Sequence, residues 1–372
     1  MNPHLDGLLR RVGLSNAGWV IREPAHNRWL SPGIWELERD GERVVVKWLS
    51  AHRDGGSTPY ESHWTAGSHE PTRWNYWLRE ALAYRHDVAG AYADAGLRGP
   101  PCLGVDVTSH DAVFALAFVE GTPGDQWTIP QYANAARALG QAQAPFVTGG
   151  RPMPTYDWLS QNFLCTYSSE KPVNWSLLDD DAAWDQPLAR QCFPPELRRL
   201  AKELHAQRDR LYALCEALPR ALCHLDFWSK NLILTPDGSH TLLDWAFVGD
   251  GAIGEDIGNL IPDACFDHFI DSADLPALEA AVLSGYVSGL RVAGWDGDDD
   301  VVRLGVWASA VKYDWLTPFM LASASAAKQM RYGGSEEIDA THRFSERGNA
   351  LLFNAKRGLD SLDLGSTLRY SA

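Results

Sequence analysis

His224, Asp226, Asn231 and Asp244 lie within one short stretch of the chain. The segment Leu222 to Gly258 reads LCHLDFWSKNLILTPDGSHTLLDWAFVGDGAIGEDIG, with His224-x-Asp226-x-x-x-x-Asn231 near its start and Asp244 thirteen residues beyond Asn231. Two short apolar runs, Leu232-Ile233-Leu234 and Thr241-Leu242-Leu243, flank the turn cluster Thr235-Pro236-Asp237-Gly238-Ser239, so a small hairpin is expected there. A loop carboxylate, an amide at a strand entry and a second carboxylate past the returning strand then converge at one hairpin end. Two hard oxygen donors suit Mg2+, which takes one or two protein oxygens and completes its shell with water and phosphate oxygens. Asn231 and Asp244 fit that demand as metal ligands. Asp226 is left to accept a hydrogen bond from an attacking hydroxyl. Any one of these residues could be an ordinary turn or cap residue; it is their joint spacing that argues otherwise. His224 reads as a structural residue that holds the loop through its ring.

The elements that must position this cluster differ between the two parts of the chain. The runs Ile34–Glu38 and Val44–Leu49 flank Arg39-Asp40-Gly41-Glu42, a hairpin signal because an Asp-Gly turn needs positive φ. A polar, aromatic stretch from Ala51 to Thr72 follows, a loop long enough to suspect a functional role. Trp74–Ala93 has helical periodicity, and Val113–Val119 is an apolar run of buried-strand length. It ends at the breaker cluster Glu120-Gly121-Thr122-Pro123-Gly124, which reads as a hinge. Beyond it the chain is mostly helical: Gln131–Ala144, Pro195–Leu218, Pro276–Leu290 and Val301–Ala327 are amphipathic, with Asp274 and Pro276 suited to the cap and first turn of the third. Two domains are expected, residues 1–120 and 121–372. The first carries 12 basic and 15 acidic residues and the second 21 and 33, so the larger part is the more acidic.

Composition narrows the function. Hydrophobic residues make up 45% and charged residues 22%, which excludes disorder as a description of the whole chain. No apolar run approaches the length of a membrane span, so no membrane partner is expected. The opening Met1-Asn2-Pro3-His4-Leu5-Asp6 has no basic region followed by an apolar one, and a cytoplasmic location is expected. A net charge of −15 repels phosphate backbones, so nucleic acid is not expected as a partner, whereas a cationic small molecule is permitted. The six cysteines are scattered without a Cys-x-x-Cys pair and read as reduced thiols, mostly buried. The acidic run Asp296-x-Asp298-Asp299-Asp300 reads as a solvated helix start rather than a calcium loop. Trp307, Tyr313, Asp314 and Trp315, on one expected helix, either line an acceptor pocket or pack.

His-x-Asp-x-x-x-x-Asn followed by a strand-terminal Asp244-Trp245 resembles the aminoglycoside phosphotransferase family of small-molecule kinases, whose fold is that of eukaryotic protein kinases. The resemblance spans about residues 20–265. It implies an α+β, bilobal fold, with a small β-rich N-lobe for the nucleotide and a larger, mainly helical C-lobe for catalysis and acceptor binding. It implies that Lys47, ending Val44-Val45-Val46-Lys47, contacts the α- and β-phosphates, and that Glu80 pairs with it from a helix. Phe118 to Gly121, with Glu120, match the inter-lobe hinge that holds the adenine edge. Ser31 and Gly33 match the phosphate-covering loop, although the segment Asn27–Ile34 lacks a Gly-x-Gly-x-x-Gly. Asp256 in Gly254-Glu255-Asp256-Ile257-Gly258 matches the residue that buttresses the catalytic loop. Leu225 stands where protein kinases carry arginine, and Trp245-Ala246 where they carry Phe-Gly, departures similar to those of small-molecule kinases.

The expected activity is therefore ATP- or GTP-dependent, Mg2+-assisted transfer of a γ-phosphoryl group to a small-molecule hydroxyl. The acceptor expected is an antibiotic, an aminoglycoside or another natural product, with resistance as the outcome. The alternatives are a metabolic kinase of an amino alcohol, sugar or nucleoside, and a kinase-fold nucleotide-binding protein without turnover. A protein kinase is disfavoured by Leu225 and the short interval between Asp244 and Asp256. A nucleotide-binding pseudoenzyme would be expected to lack one of Lys47, Asp226, Asn231 or Asp244, all of which are present. A carboxylate-pair glycosidase would explain neither Lys47 nor Asn231.

Overall fold

The computed structural model describes residues 3–15, 17–24, 31–51, 67–330 and 337–368. The Asp-Gly hairpin forms as its sequence dictates. Asp40 and Gly41 both take positive φ, joining β2 (Gly33–Arg39) to β3 (Glu42–Ser50). With β1 (Val20–Arg22) before them, and β5 (Cys102–Val107) and β6 (Asp111–Ala117) after β4 (Leu97–Arg98), they build a five-stranded antiparallel sheet in the order β1-β2-β3-β6-β5. The unbroken apolar character of β6 has a simple cause: both faces of this sheet are covered. Val113 and Ala115 join Val44, Val46, Leu37 and the helix Pro3–Arg11 in one core. Ala112, Phe114 and Leu116 face the opposite way, into the main core with Ala81 and Tyr84.

Four further short strands position the site: β7 (Thr122–Pro123), β8 (Arg220–Cys223), β9 (Leu232–Leu234) and β10 (His240–Leu242). The expected hairpin of β9 and β10 extends to β4 and β7 in a sheet ordered β4-β10-β9-β7, while β8 pairs with β11 (Gly249–Ala252). Below lie the helices. Ile129–Val147 and Leu275–Val292 pack along most of their lengths, and small residues set their distance. A Cβ on Gly140 would lie 2.2 Å from the Tyr286 carbonyl oxygen, one on Gly285 2.2 Å from that of Ala133, and one on Gly289 2.0 Å from that of Arg137. Gly285→Leu is therefore expected to force the helices apart and destabilise the fold by about 1–3 kcal/mol or more. An unchanged thermal midpoint would contradict this contact.

Several expected elements are shorter than their periodicity suggested. In Trp74–Ala93 only Arg79–Arg85 is α-helical, because Asp87 takes positive φ and a 3-10 segment, Val88–Ala95, follows. Pro195–Leu218 is two helices, Leu197–Ala206 and Arg208–Glu216, divided at Gln207. Val301–Ala327 is likewise split into Asp299–Ala308, a 3-10 turn at Ser309–Tyr313 and Leu316–Ser323. Periodicity marks which residues face inward but is blind to a single residue that turns the backbone. Asp274 precedes its helix without a side-chain cap bond, since it closes a 3-10 turn, although Pro276 does sit in the first turn. Asp298 does cap: it accepts from the Asp300 amide at 2.9 Å, as a solvated acidic helix start requires. Three of the six free cysteines are buried, fewer than expected. Of the long loop Ala51–Thr72, residues 52–66 lie outside the described residues, as do residues 27–30 of the phosphate-loop segment.

Candidate active site

Lys47 sits mid-sheet on β3, paired with Ile34 and Phe114, on the face opposite Val44 and Val46. Its ammonium reaches Glu80 Oε2 at 2.6 Å and Asp244 Oδ2 at 3.3 Å. Glu80 comes from the short helix Arg79–Arg85 and is 4% exposed. Asp244 follows β10 in the left-handed backbone region, φ 56°. Three distant pieces of sequence therefore meet at one nitrogen. Burial opposes the charge on Lys47, but Asp244 and Glu80 outweigh it and hold the ammonium above its ordinary pKa. Burial, with Asp244 adding, raises Glu80 to about 7, against the pull of Lys47.

Asp226 and Asn231 are in direct contact. The Asn231 amide nitrogen donates to the Asp226 carbonyl at 3.0 Å and to its Oδ2 at 2.8 Å. With that nitrogen engaged, the amide oxygen is what Asn231 can offer a cation. The Leu243 amide donates to the Asn231 carbonyl at 2.8 Å, which binds the strand exit bearing Asp244 to the Asn231 turn. One amide oxygen and one carboxylate oxygen are the hard donors a divalent cation with phosphates takes, so the residues present fit such an ion.

The loop bearing Asp226 is fixed from below. Leu225 adopts φ 65° and is fully buried, an unfavourable conformation for a γ-branched residue. Its amide donates to Asp256 Oδ1 at 2.6 Å, and its carbonyl accepts from Asn259 at 3.0 Å and Lys312 at 3.3 Å. The His224 amide donates to Asp256 Oδ2 at 2.9 Å, and Gln143 donates to the same oxygen at 2.8 Å. Asp256 lies in the first turn of Glu255–Phe266, so the expected buttress is in place. The His224 ring donates to the Leu243 carbonyl at 2.9 Å and meets the Trp245 ring edge-on. Burial lowers His224 to about 4, leaving a neutral, structural imidazole. Gln143 and Lys312 carry no local sequence signal, because they lie on other elements and reach the loop only through the fold, while Asn259 follows Asp256 by three residues on the same helix.

The remaining expected positions are dispersed around this centre. Gly33 opens β2 opposite Trp48, one register step from Lys47, and a Cβ there would lie 2.1 Å from the Trp35 ring. Ser31 is buried just before it. Phe118 to Gly121, the expected hinge, lie between β6 and β7. The Phe118 amide donates to the Arg43 carbonyl at 3.0 Å, and the Arg43 guanidinium covers the Phe118 ring and reaches Glu120 at 2.6 Å. A Cβ on Gly121 would lie 2.3 Å from the Leu234 carbonyl oxygen. Trp307, Tyr313, Asp314 and Trp315 do not share one helix. Trp307 donates to Glu279, Tyr313 to Asp263, and Asp314 pairs with His205. Trp315 packs 4.5 Å from the Lys171 ammonium. Lys230 pairs with Asp125.

Among the described residues no helix is long and apolar enough to cross a membrane. A family model described as the Phosphotransferase enzyme family matches residues 39–297. Similar solved structures include an amicoumacin kinase in complex with AMP-PNP, Ca2+ and Ami, at 10% identity over 94% of this chain and 96% of that one, TM-score 0.54. An aminoglycoside phosphotransferase from Alicyclobacillus acidocaldarius is similar at 15% identity over 93% of each chain, TM-score 0.54. A choline kinase from Cryptosporidium parvum is similar at 12% identity over 99% of this chain and 98% of that one, TM-score 0.50. At these identities the likeness is one of fold, which is protein-kinase-like with an antiparallel N-terminal sheet and a helical C-terminal region. No curated protein sequence matches the chain.

Proposed function

Because the chain belongs to the Phosphotransferase enzyme family and is thus a phosphotransferase acting on small-molecule hydroxyls, we propose that it moves the γ-phosphoryl group of ATP or GTP to an antibiotic, an aminoglycoside or another natural product. The observation that carries the reading is the meeting of Lys47 with both Glu80 and Asp244, beside the Asp226–Asn231 contact. Phosphoryl transfer passes through a loose transition state, so alignment and charge neutralisation do most of the work. Lys47, held by Glu80, faces the α- and β-phosphates. Asn231 and Asp244 would hold Mg2+, which would supply neutralising charge to the phosphates. Asp226 orients the acceptor hydroxyl and takes its proton late. The adenine edge lies against the backbone of the hinge, at groups other than the Phe118 amide, with Ser31 and Gly33 over the phosphates. In this reading residues 1–120 bind the nucleotide, residues 121–372 carry the catalytic loop and the acceptor, and the setting is the cytoplasm.

Two experiments test the reading. Thermal unfolding with ATP, with and without Mg2+, is expected to show stabilisation by the Mg2+ complex. Coupled ADP release across aminoglycosides, macrolides, nucleosides and amino alcohols then identifies the acceptor; release with amino alcohols alone would replace the antibiotic with a metabolic acceptor.

The pH profile follows from Asp226. Burial raises its carboxyl to about 6; Lys312 and Asn231 oppose the rise, and Asp244 adds to it. Only the ionised form accepts the hydroxyl proton, so kcat/KM is expected to fall by about tenfold per pH unit below the Asp226 pKa and to level off above it. A flat profile across that range would remove Asp226 as the titrating acceptor.

A further inference from the structure

Arg79, beside Glu80, is fully buried, and each of its five N–H donors meets a backbone carbonyl. Nε donates to Trp158 at 2.8 Å, Nη1 to Trp74 at 2.8 Å and to Ala246 at 3.1 Å, and Nη2 to Pro71 at 2.8 Å and to Arg73 at 2.5 Å. None of the five is a carboxylate. Burying a guanidinium against neutral dipoles is unfavourable, and burial pushes Arg79 down to about 9. A group held at such a cost has a geometric task to perform.

Its partners identify the task. They belong to three segments: the approach to the helix at 71–74, the loop around Trp158, and Ala246, two residues past Asp244. The same segments are stitched to one another without Arg79. Gln161 N donates to the Thr72 carbonyl at 3.0 Å, Ser160 N to Val248 at 3.1 Å and Asp250 N to Ser160 at 2.9 Å. Arg79 is thus the hub of a knot that spans the start of the Glu80 helix and the chain leaving Asp244. We propose that Arg79 is a positioning residue that locks these two carriers together, so that Lys47 meets both carboxylates without any swing of the Glu80 helix. The purpose of that geometry rests on the phosphotransfer reading; the lock itself does not.

Acylation by acetic anhydride at fixed pH, read lysine by lysine by mass spectrometry, tests the lock on the full-length protein. In the native protein the Lys47 ammonium is held between Glu80 at 2.6 Å and Asp244 at 3.3 Å, which shields it from the reagent for as long as both contacts stand. Arg79→Met is expected to raise labelling at Lys47 severalfold by loosening those contacts, while buried Lys171 and Lys312 keep their native labelling. Arg79→Lys, which keeps charge but offers three donors to five carbonyls, is expected to fall between. In turnover assays both variants are expected to lower kcat and raise nucleotide KM while acceptor KM stays within about twofold. Unchanged Lys47 labelling in either folded variant overturns the proposal. A parallel rise at Lys47, Lys171 and Lys312 also overturns it, because Arg79 would then serve folding in general. Failure of the phosphotransfer reading is distinct: the native protein would release no ADP with any acceptor, and the labelling result would stand.

Discussion

Asp226→Asn is expected to lower turnover by about 10²–10⁴-fold while leaving nucleotide affinity within a few-fold. The substitution preserves shape, and its amide oxygen can still accept from the Asn231 nitrogen that lies 2.8 Å from Asp226 Oδ2 in the native chain. What it removes is the negative charge and the capacity to take a proton. Lys47 pairs with Glu80 and Asp244, so its ion pair with Glu80 is expected to persist. Single-turnover phosphate transfer and nucleotide titration on the same preparation separate the two effects. Native turnover in the variant would exclude Asp226 from the chemistry.

The second large effect is expected at Asp244. Asp244→Ala should weaken Mg2+-dependent nucleotide binding by about tenfold or more, since a charged ligand to the cation is lost. The backbone complicates this change. Asp244 occupies the left-handed region, which costs an ordinary L-residue roughly 1–2 kcal/mol and which aspartate and asparagine enter more easily than alanine. Asp244→Asn is therefore the companion variant, because it keeps the conformation and removes only the charge. Both should lose the Mg2+ dependence of thermal stabilisation by ATP. An unaltered Mg2+ titration in both would contradict the ligand assignment.

Much of the site was legible because its residues are short-range. Asp226, Asn231 and Asp244 are joined by one hairpin, and a turn cluster between apolar runs announces a hairpin directly. The β2–β3 turn was equally plain, since few sequences other than Asp-Gly tolerate two successive positive φ values. The pairing of Lys47 with Glu80 was legible only by resemblance, because no local pattern ties a strand lysine to a helix glutamate further along the chain. Helix ends fared worst. The breaks at Asp87, Gln207 and Ser309–Tyr313 are local turns of the backbone, and the apolar stripe runs through them unchanged. The supports of the Asp226 loop were largely invisible, because they lie far off in sequence. Gln143, Asn259 and Lys312 sit on three separate elements and gain meaning only once those converge on Leu225 and Asp256.

The glycine-lined seam between Ile129–Val147 and Leu275–Val292 bears on how strain would travel through the molecule. Where two backbones touch with no room for a methyl group, no facing glycine can be exchanged for a larger residue without moving one rod against the other. Tyr286 on one rod donates to Gln143 on the other, and Gln143 donates in turn to Asp256, so such a displacement would be relayed to the support of the Asp226 loop.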